Sequence, residues 1–141
     1  MEIYYKDRFL NKNNIFLTVQ ESDIKPRIKL NIIPNKIYTL VMFDPDAVGG
    51  NKIHWLITNI IDGNITNGNE IIKYKGPDPP YGSGKHHYVL CLLEQPNIIS
   101  VHDLKFNSRF IELKDLFTKI NFYKKKIKIY DLKYFVSENY M

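Results

Sequence analysis

An antiparallel β-sandwich-like domain with one late helix is the fold class that this sequence predicts. Three observations point to it. Short runs that are apolar throughout or alternate with period two recur along the chain, with Pro, Gly and Asn clusters between them. Only Ile111 to Ile120 places its apolar residues, Leu113, Leu116, Phe117 and Ile120, at helical spacing. The 141 residues, 44% of them hydrophobic, suffice for one core, so a single domain over residues 1–141 is expected and disorder is not.

Each element has its own signal. Ile15 to Val19 reads as a strand, and Arg27 to Ile32 alternates polar with apolar residues as a half-buried strand does. Pro34-Asn35-Lys36 is a turn. Ile37 to Phe43 is a buried strand that ends at the Asp44-Pro45-Asp46 corner. His54 to Ile61 is the next strand, closed by Asp62-Gly63-Asn64, and Ile71 to Tyr74 is a short one. The connection from Lys75 to Lys85 holds three prolines and three glycines, so it is stiff in places and free to take positive φ in others. Loops of that length in a compact domain are often functional. His86 to Glu94 is a long apolar central strand, and Ile127 to Val136 closes the fold.

Composition excludes several classes. No apolar run approaches the roughly eighteen residues that span a bilayer. The opening Met1 to Arg8 is charged and lacks the apolar core of a secretory signal. Cys91 is the single cysteine, so no intrachain disulfide forms. A soluble, cytoplasmic protein is therefore expected. The net charge of +5 raises anionic partners: lipid head groups, nucleic acid or phosphorylated proteins. Lys124, Lys125, Lys126 and Lys128 form the densest basic run and read as a solvated turn and strand start, with peripheral membrane contact as the competing reading. Nucleic acid is not expected as a partner, because no recognition module accompanies the lysines and tyrosines.

The chemistry gathers at strand ends. Asp44 and Asp46 flank Pro45 after an apolar strand, and both carboxylates point one way if the chain stays extended there. His54 opens its strand on the face of Leu56 and Thr58. His86 and Tyr88, two apart, share one face, which leaves His87 on the other with Val89 and Cys91. Imidazolium N–H, phenol O–H and loop amides are donors for a small anion. The carboxylates fit a supporting role, fixing an imidazole tautomer and orientation. Asp46 bonding His54 or His86, and Asp44 bonding loop amides, are the expected pairings.

Tyr38 to Ala47, then His54-Trp55-Leu56-Ile57-Thr58-Asn59-Ile60, resembles a conserved block of the phosphatidylethanolamine-binding protein family. Tyr74 with Gly76 to Pro80, then Gly82 to Val89, is similar to the second block, and Glu94-Gln95 matches a recurrent pair. The likeness implies a large central sheet packed on a smaller one, with one or two short helices. It implies a pocket at Asp44, Asp46, His54, Gly76, Pro79, His86 and Tyr88 that takes a phosphate-like or carboxylate-like group, phospholipid head groups included. It also implies a non-catalytic regulatory role exercised through protein partners, protein kinases among them, with no cofactor.

Three departures stand out. Val48 replaces the proline that usually follows the Asp-Pro-Asp-Ala run, so the rim should differ. His87 replaces an arginine, so that residue's ion pair should be weakened or lost. The usual C-terminal helix is absent or reduced to a few residues. Two rivals remain. Asp44, Asp46, His54 and His86 form a two-His, two-carboxylate metal set on paper, though no short paired-ligand motif supports it. Ser83, between two glycines, suggests a serine-type hydrolase, but G-x-S-x-G is missing. A phosphate-binding loop fails because Pro79 and His86 stand where glycine and Ser/Thr belong.

Overall fold

The computed structural model describes residues 1–31, 34–120 and 128–140. The described residues form nine strands: β1 (Glu2–Tyr5), β2 (Arg8–Phe9), β3 (Ile15–Phe16), β4 (Arg27–Lys29), β5 (Ile37–Asp44), β6 (Lys52–Ile61), β7 (Asn69–Ile72), β8 (His86–Gln95) and β9 (Lys128–Ser137). Helix α1 is Leu113–Ile120, and two 3-10 turns lie at Ile65–Asn67 and Val101–Asp103. Strands β2-β1-β4 form a small sheet, and β3-β9-β8-β5-β6-β7 form a large one. The predicted fold class holds, with one addition: β3 runs parallel to β9, within an otherwise antiparallel sheet.

The core explains the layering. β5 and β8 lie in the middle of the large sheet and are apolar on both faces, as strands covered on both sides must be. Leu40, Met42, Trp55, Ile57, Tyr88, Leu90 and Leu92 pack toward Ile3 and Tyr5 of the small sheet. Val41, Ile53, Leu56, Cys91 and Leu93 pack on the other side, against Leu116 and Ile120 of α1. Cys91 is thus a core residue, and its thiol is pushed up to about 11 by burial.

Boundaries differ from the sequence reading where strands are short. The β1–β2 hairpin was not expected; it turns through Lys6 at φ 52° and leaves β2 fully exposed, so neither strand shows a long periodic run. The Ile15 to Val19 strand shortens to two residues because the chain enters a turn in which Ser22 N–H bonds Thr18 and Val19 carbonyls. Arg27 to Ile32 narrows to Arg27–Lys29 among the described residues, with Ile32 outside them. The Ile71 to Tyr74 strand shifts to Asn69–Ile72. Lys124, Lys125, Lys126 and Ile127 also lie outside the described residues; Lys128 pairs with Glu94 at 3.2 Å on the surface. No described helix is long and apolar enough to cross a membrane, which says nothing about strands.

Two β-bulges interrupt the pairing of β6 with β5, and the first lies at the Gln95 end of the sheet. Pairing passes from Leu40–Ile57 to Tyr38–Ile60, and Asn59 in the bulged stretch takes φ 57°. A buried polar network holds this bulge. Gln95 Oε1 accepts from Thr39 Oγ1 at 2.6 Å and Asn59 N at 3.0 Å, while Gln95 Nε2 donates to Asn59 Oδ1 at 2.6 Å and Asn97 O at 2.9 Å. Asn59 Nδ2 reaches Asn69 Oδ1 and Ile99 O. Every member has a partner, so the network fixes register instead of straining it. Gln95→Ala leaves the Thr39 hydroxyl and the Asn59 amide without an acceptor. It should cost about 2–4 kcal/mol in urea unfolding; a loss under about 0.5 kcal/mol would mean that the network does not set the bulge.

Candidate functional site

The second bulge places a histidine. Met42 pairs with Trp55 but Phe43 pairs with Ile53, so one residue of β5 is matched by two of β6 and His54 is the extra one. A bulge re-aims a side chain relative to strict alternation. The His54 ring therefore meets Tyr88 edge-on, with ring centroids 5.3 Å apart, on the small-sheet side. It does not share the face of Leu56, which packs toward α1. Strand periodicity alone could not show this, because it assumes an unbroken ladder.

The end of β5 meets the start of β8 through a carboxylate. Asp44 Oδ2 accepts from His86 Nδ1 at 2.7 Å, and both side chains are almost wholly buried. Asp44 Oδ1 accepts the Asp46 N–H at 2.7 Å, closing a local turn over Pro45. On the far side of the ring, His86 Nε2 lies 2.9 Å from Ser83 Oγ, which in turn lies 2.6 Å from Pro80 O. The Pro80 carbonyl can only accept, so it competes for the single Ser83 proton.

His54 is held differently. Its Nδ1 lies 2.6 Å from Lys75 O, and a carbonyl can only accept, so Nδ1 carries the hydrogen. In the neutral ring Nε2 is then a bare acceptor; it is buried and has no hydrogen-bond partner. Burial lowers the pKa of His54, and the Lys75 carbonyl and the Asp78 charge offset that only in part. Tyr88 Oη is likewise buried, with the Asp44 carboxylate close enough to act on it but no hydrogen bond of good geometry, while its ring stacks on Phe135 at 5.4 Å. Burial first, then the Asp44 and Asp78 charges, push its phenol far above the ordinary value, so it serves as a donor. Ser137, paired across the ladder from His86, adds a third buried polar atom without a hydrogen-bond partner at this end of the sheet.

Four residues outside the expected set complete the rim. Asp78 Oδ1 stands 4.0 Å from His54 Nε2, and its carboxylate is gripped by Lys52 Nζ at 2.8 and 3.0 Å and by Lys75 Nζ at 3.0 Å. Partial burial opposes its charge, but the two ammonium groups outweigh that and hold its pKa down. Arg109 sends its guanidinium to the carbonyls of Ile53, His54 and Lys73, bracing the bulge against the segment that bears Lys75. Asp78 was visible inside the proline loop but has the look of a turn residue. Lys52 and Arg109 lie in no motif, and only folding brings them here.

Of the expected residues, Asp44, His54, His86 and Tyr88 come together. Gly76 serves by being small: a Cβ there would stand 2.8 Å from Ser22 O and 2.9 Å from Asp23 Cα, so the loop could not lie so close to that turn. Pro79 is buried in the same loop. The expected pairings are reversed. Asp46 does not reach His54 or His86; the turn at Pro45 swings it outward, where it accepts from His87 N at 2.8 Å and contacts His87 Nδ1 at 2.7 Å. Partial burial of Asp46 works against ionisation, yet the two His87 bonds lower its pKa. Among the described residues no three metal-ligating side chains converge.

His54 gives a pH dependence of fixed sign. Its folded pKa lies below the ordinary 6.5, so between the two values the unfolded chain binds more protons. The stability it confers is full above that window and is lost as pH falls through about 6.5 toward the folded value. The Asp46 and Asp78 contributions fail only at lower pH, below the ordinary 3.8. Urea unfolding of wild type should therefore lose more stability between about pH 7.5 and 5.5 than His54→Gln does. Equal losses would show that His54 is not protonated more readily on unfolding.

Residues 6–135 match the family model described as phosphatidylethanolamine-binding protein. The protein MOTHER of FT and TFL1 homolog 2 of Oryza sativa subsp. japonica is 34% identical over 102 residues, which is 67% of this chain and 57% of that protein. A 26 kDa secreted antigen of Toxocara canis is 33% identical over 97 residues, 64% of this chain and 37% of the antigen. The chain thus spans little more than half the length of the first and less of the second. In fold it resembles a carboxypeptidase Y inhibitor solved with its cognate proteinase (TM-score 0.78, 19% identity, 98% of this chain and 82% of that one). It also resembles a phosphatidylethanolamine-binding protein from Plasmodium vivax (TM-score 0.71, 18% identity, 98% and 84%). With a match over nearly its whole length, the chain belongs to the phosphatidylethanolamine-binding protein family.

Proposed function

We propose that this chain is a non-catalytic binding and regulatory module whose pocket takes a small anion, either phosphate or a phospholipid head group. Asp44 holds His86, the bulge aims His54, Tyr88 supplies a phenol donor, and Gly76 and Pro79 set the loop that closes over them. One observation carries the reading. His54 Nε2 and Tyr88 Oη are buried polar atoms without a protein hydrogen bond of good geometry, in one ring pair. Such atoms are costly unless something bonds them, and they mark where a ligand fits. A protonated phosphoryl oxygen donates to His54 Nε2 while an unprotonated one accepts from Tyr88. Family membership supports action through proteins as well as small ligands, and one fold neighbour is an inhibitor held by its proteinase. Modulation of a protein kinase and peripheral membrane contact belong to this proposal.

A serine-type hydrolase is the second reading, favoured by the line Ser83–His86–Asp44 at 2.9 and 2.7 Å. Against it, Ser83 Oγ lies closer to Pro80 O than to His86, which draws its proton away from the base.

Titration with inorganic phosphate, followed by NMR, separates the two. His54, His86, Tyr88 and the Gly76–Gly84 loop should shift first, and His86→Ala should weaken binding about tenfold or more. Ser83→Ala should alter binding less than His86→Ala. Absent or uniform shifts at millimolar phosphate would sink the pocket. Turnover of a model ester that vanishes in Ser83→Ala would favour the hydrolase.

A further inference from the structure

Two cations beside the site are already engaged, and by a carboxylate of the chain itself. Asp78 takes three ammonium contacts of 2.8 to 3.0 Å from Lys52 and Lys75 and stands 4.0 Å from the bare His54 Nε2. Its negative charge reaches both pocket rings, acting on His54 and on Tyr88. The neighbours Pro77 and Pro79 are buried, so the backbone on either side is fixed. The side chain itself is 39% exposed and can turn toward water. A fixed stem with a solvent-facing carboxylate over the pocket is the arrangement of a plug.

We propose that Asp78 is the pocket's own occupant: in the free protein its carboxylate holds the position of an oxyanion, and a ligand binds by displacing it. This rests on the anion-pocket reading and adds a selection rule to it. An entering group inherits Lys52 and Lys75 and must outcompete an intramolecular carboxylate for them. It must also supply a donor to His54 Nε2, unless that nitrogen gains a proton. A monoanion such as acetate matches Asp78 in charge but lacks its tether, so it loses the competition. A phosphate monoester brings more oxygens to the same two ammonium groups: as the monoanion its P–OH donates to His54 Nε2, and as the dianion it brings more charge and binds with that nitrogen protonated. The ligand class is therefore a terminal phosphoryl group, in preference to a carboxylate or a phosphodiester.

The test is calorimetric titration at constant ionic strength with inorganic phosphate and with acetate. Wild type, Asp78→Asn, Asp78→Ala and Lys52→Gln are compared, with Asp62→Asn, at the far end of β6, as a control for net charge. Removing the plug should tighten phosphate binding about tenfold in both Asp78 variants and leave Asp62→Asn near wild type. Lys52→Gln should weaken it. Acetate should bind Asp78→Ala, where it refills the vacated position, and not wild type. Two variants at this half-exposed position guard against loss of fold in one. Equal phosphate affinity in wild type and both Asp78 variants overturns displacement while leaving the pocket intact. So does equal tightening by Asp62→Asn. Phosphate bound by neither wild type nor the Asp78 variants overturns the pocket and the plug together.

Discussion

The buried bond between Asp44 and His86 is the constraint on which this end of the molecule depends. A carboxylate almost wholly out of water must be bonded on both oxygens or it destabilises the fold. Asp44 meets that demand with the His86 ring and the Asp46 amide. The first bond ties the end of β5 to the start of β8, adjacent strands whose ladder ends at Phe43–Val89. The second folds the chain over Pro45 and turns Asp46 outward to His87. One demand for satisfaction thus orients the pocket histidine, sets the corner, and keeps a second carboxylate out of the pocket. That last effect matters for an anion, which two inward carboxylates would repel.

Across from this pair, the site depends on a defect in β6. An ideal ladder would have turned His54 toward Leu56 and α1 instead of Tyr88. The bulge redirects it, Lys75 O fixes its tautomer, and Arg109 ties the two segments together. The result is a ring with its acceptor nitrogen unmet beside a phenol with its donor unmet. No protein group makes a hydrogen bond of good geometry to either atom, while Asp78 brings negative charge to within 4.0 Å of His54.

Much of this was legible in the residues. β5, β6 and β8 are long apolar runs bounded by Pro, Gly and Asn, and they fall within two residues of their predicted limits. Leu113, Leu116 and Ile120 announced α1 by spacing. Both motif blocks led to Asp44, His54, His86 and Tyr88 because chemistry at strand ends stays local in sequence. What stayed hidden was non-local or irregular. The β1–β2 hairpin is too short for periodicity to reveal. Nothing in His54-Trp55-Leu56 signals a bulge, which depends on how β6 pairs with β5. The choice of Asp44 over Asp46 for His86 depends on the turn at Pro45, and two carboxylates two residues apart look alike before the turn is known. Lys52 reaches Asp78 from a separate segment, so no local pattern marks it, whereas Lys75 stands only three residues before Asp78 in the same loop. The parallel pairing of β3 with β9 joins residues some 120 positions apart.

The central claim is that an oxyanion completes the bonding of His54 and Tyr88 beside the Asp44–His86 pair. Imidazole 15N spectroscopy tests it most directly, because it reads each ring nitrogen by itself. In free protein, above the titration of His54, its Nδ1 should appear protonated and its Nε2 bare. On saturation with phosphate, the His54 Nε2 resonance should move toward the bonded or protonated position, with His102 unchanged. A His54 Nε2 signal that stays put at saturating phosphate, or movement confined to His87 and His102, would contradict the account.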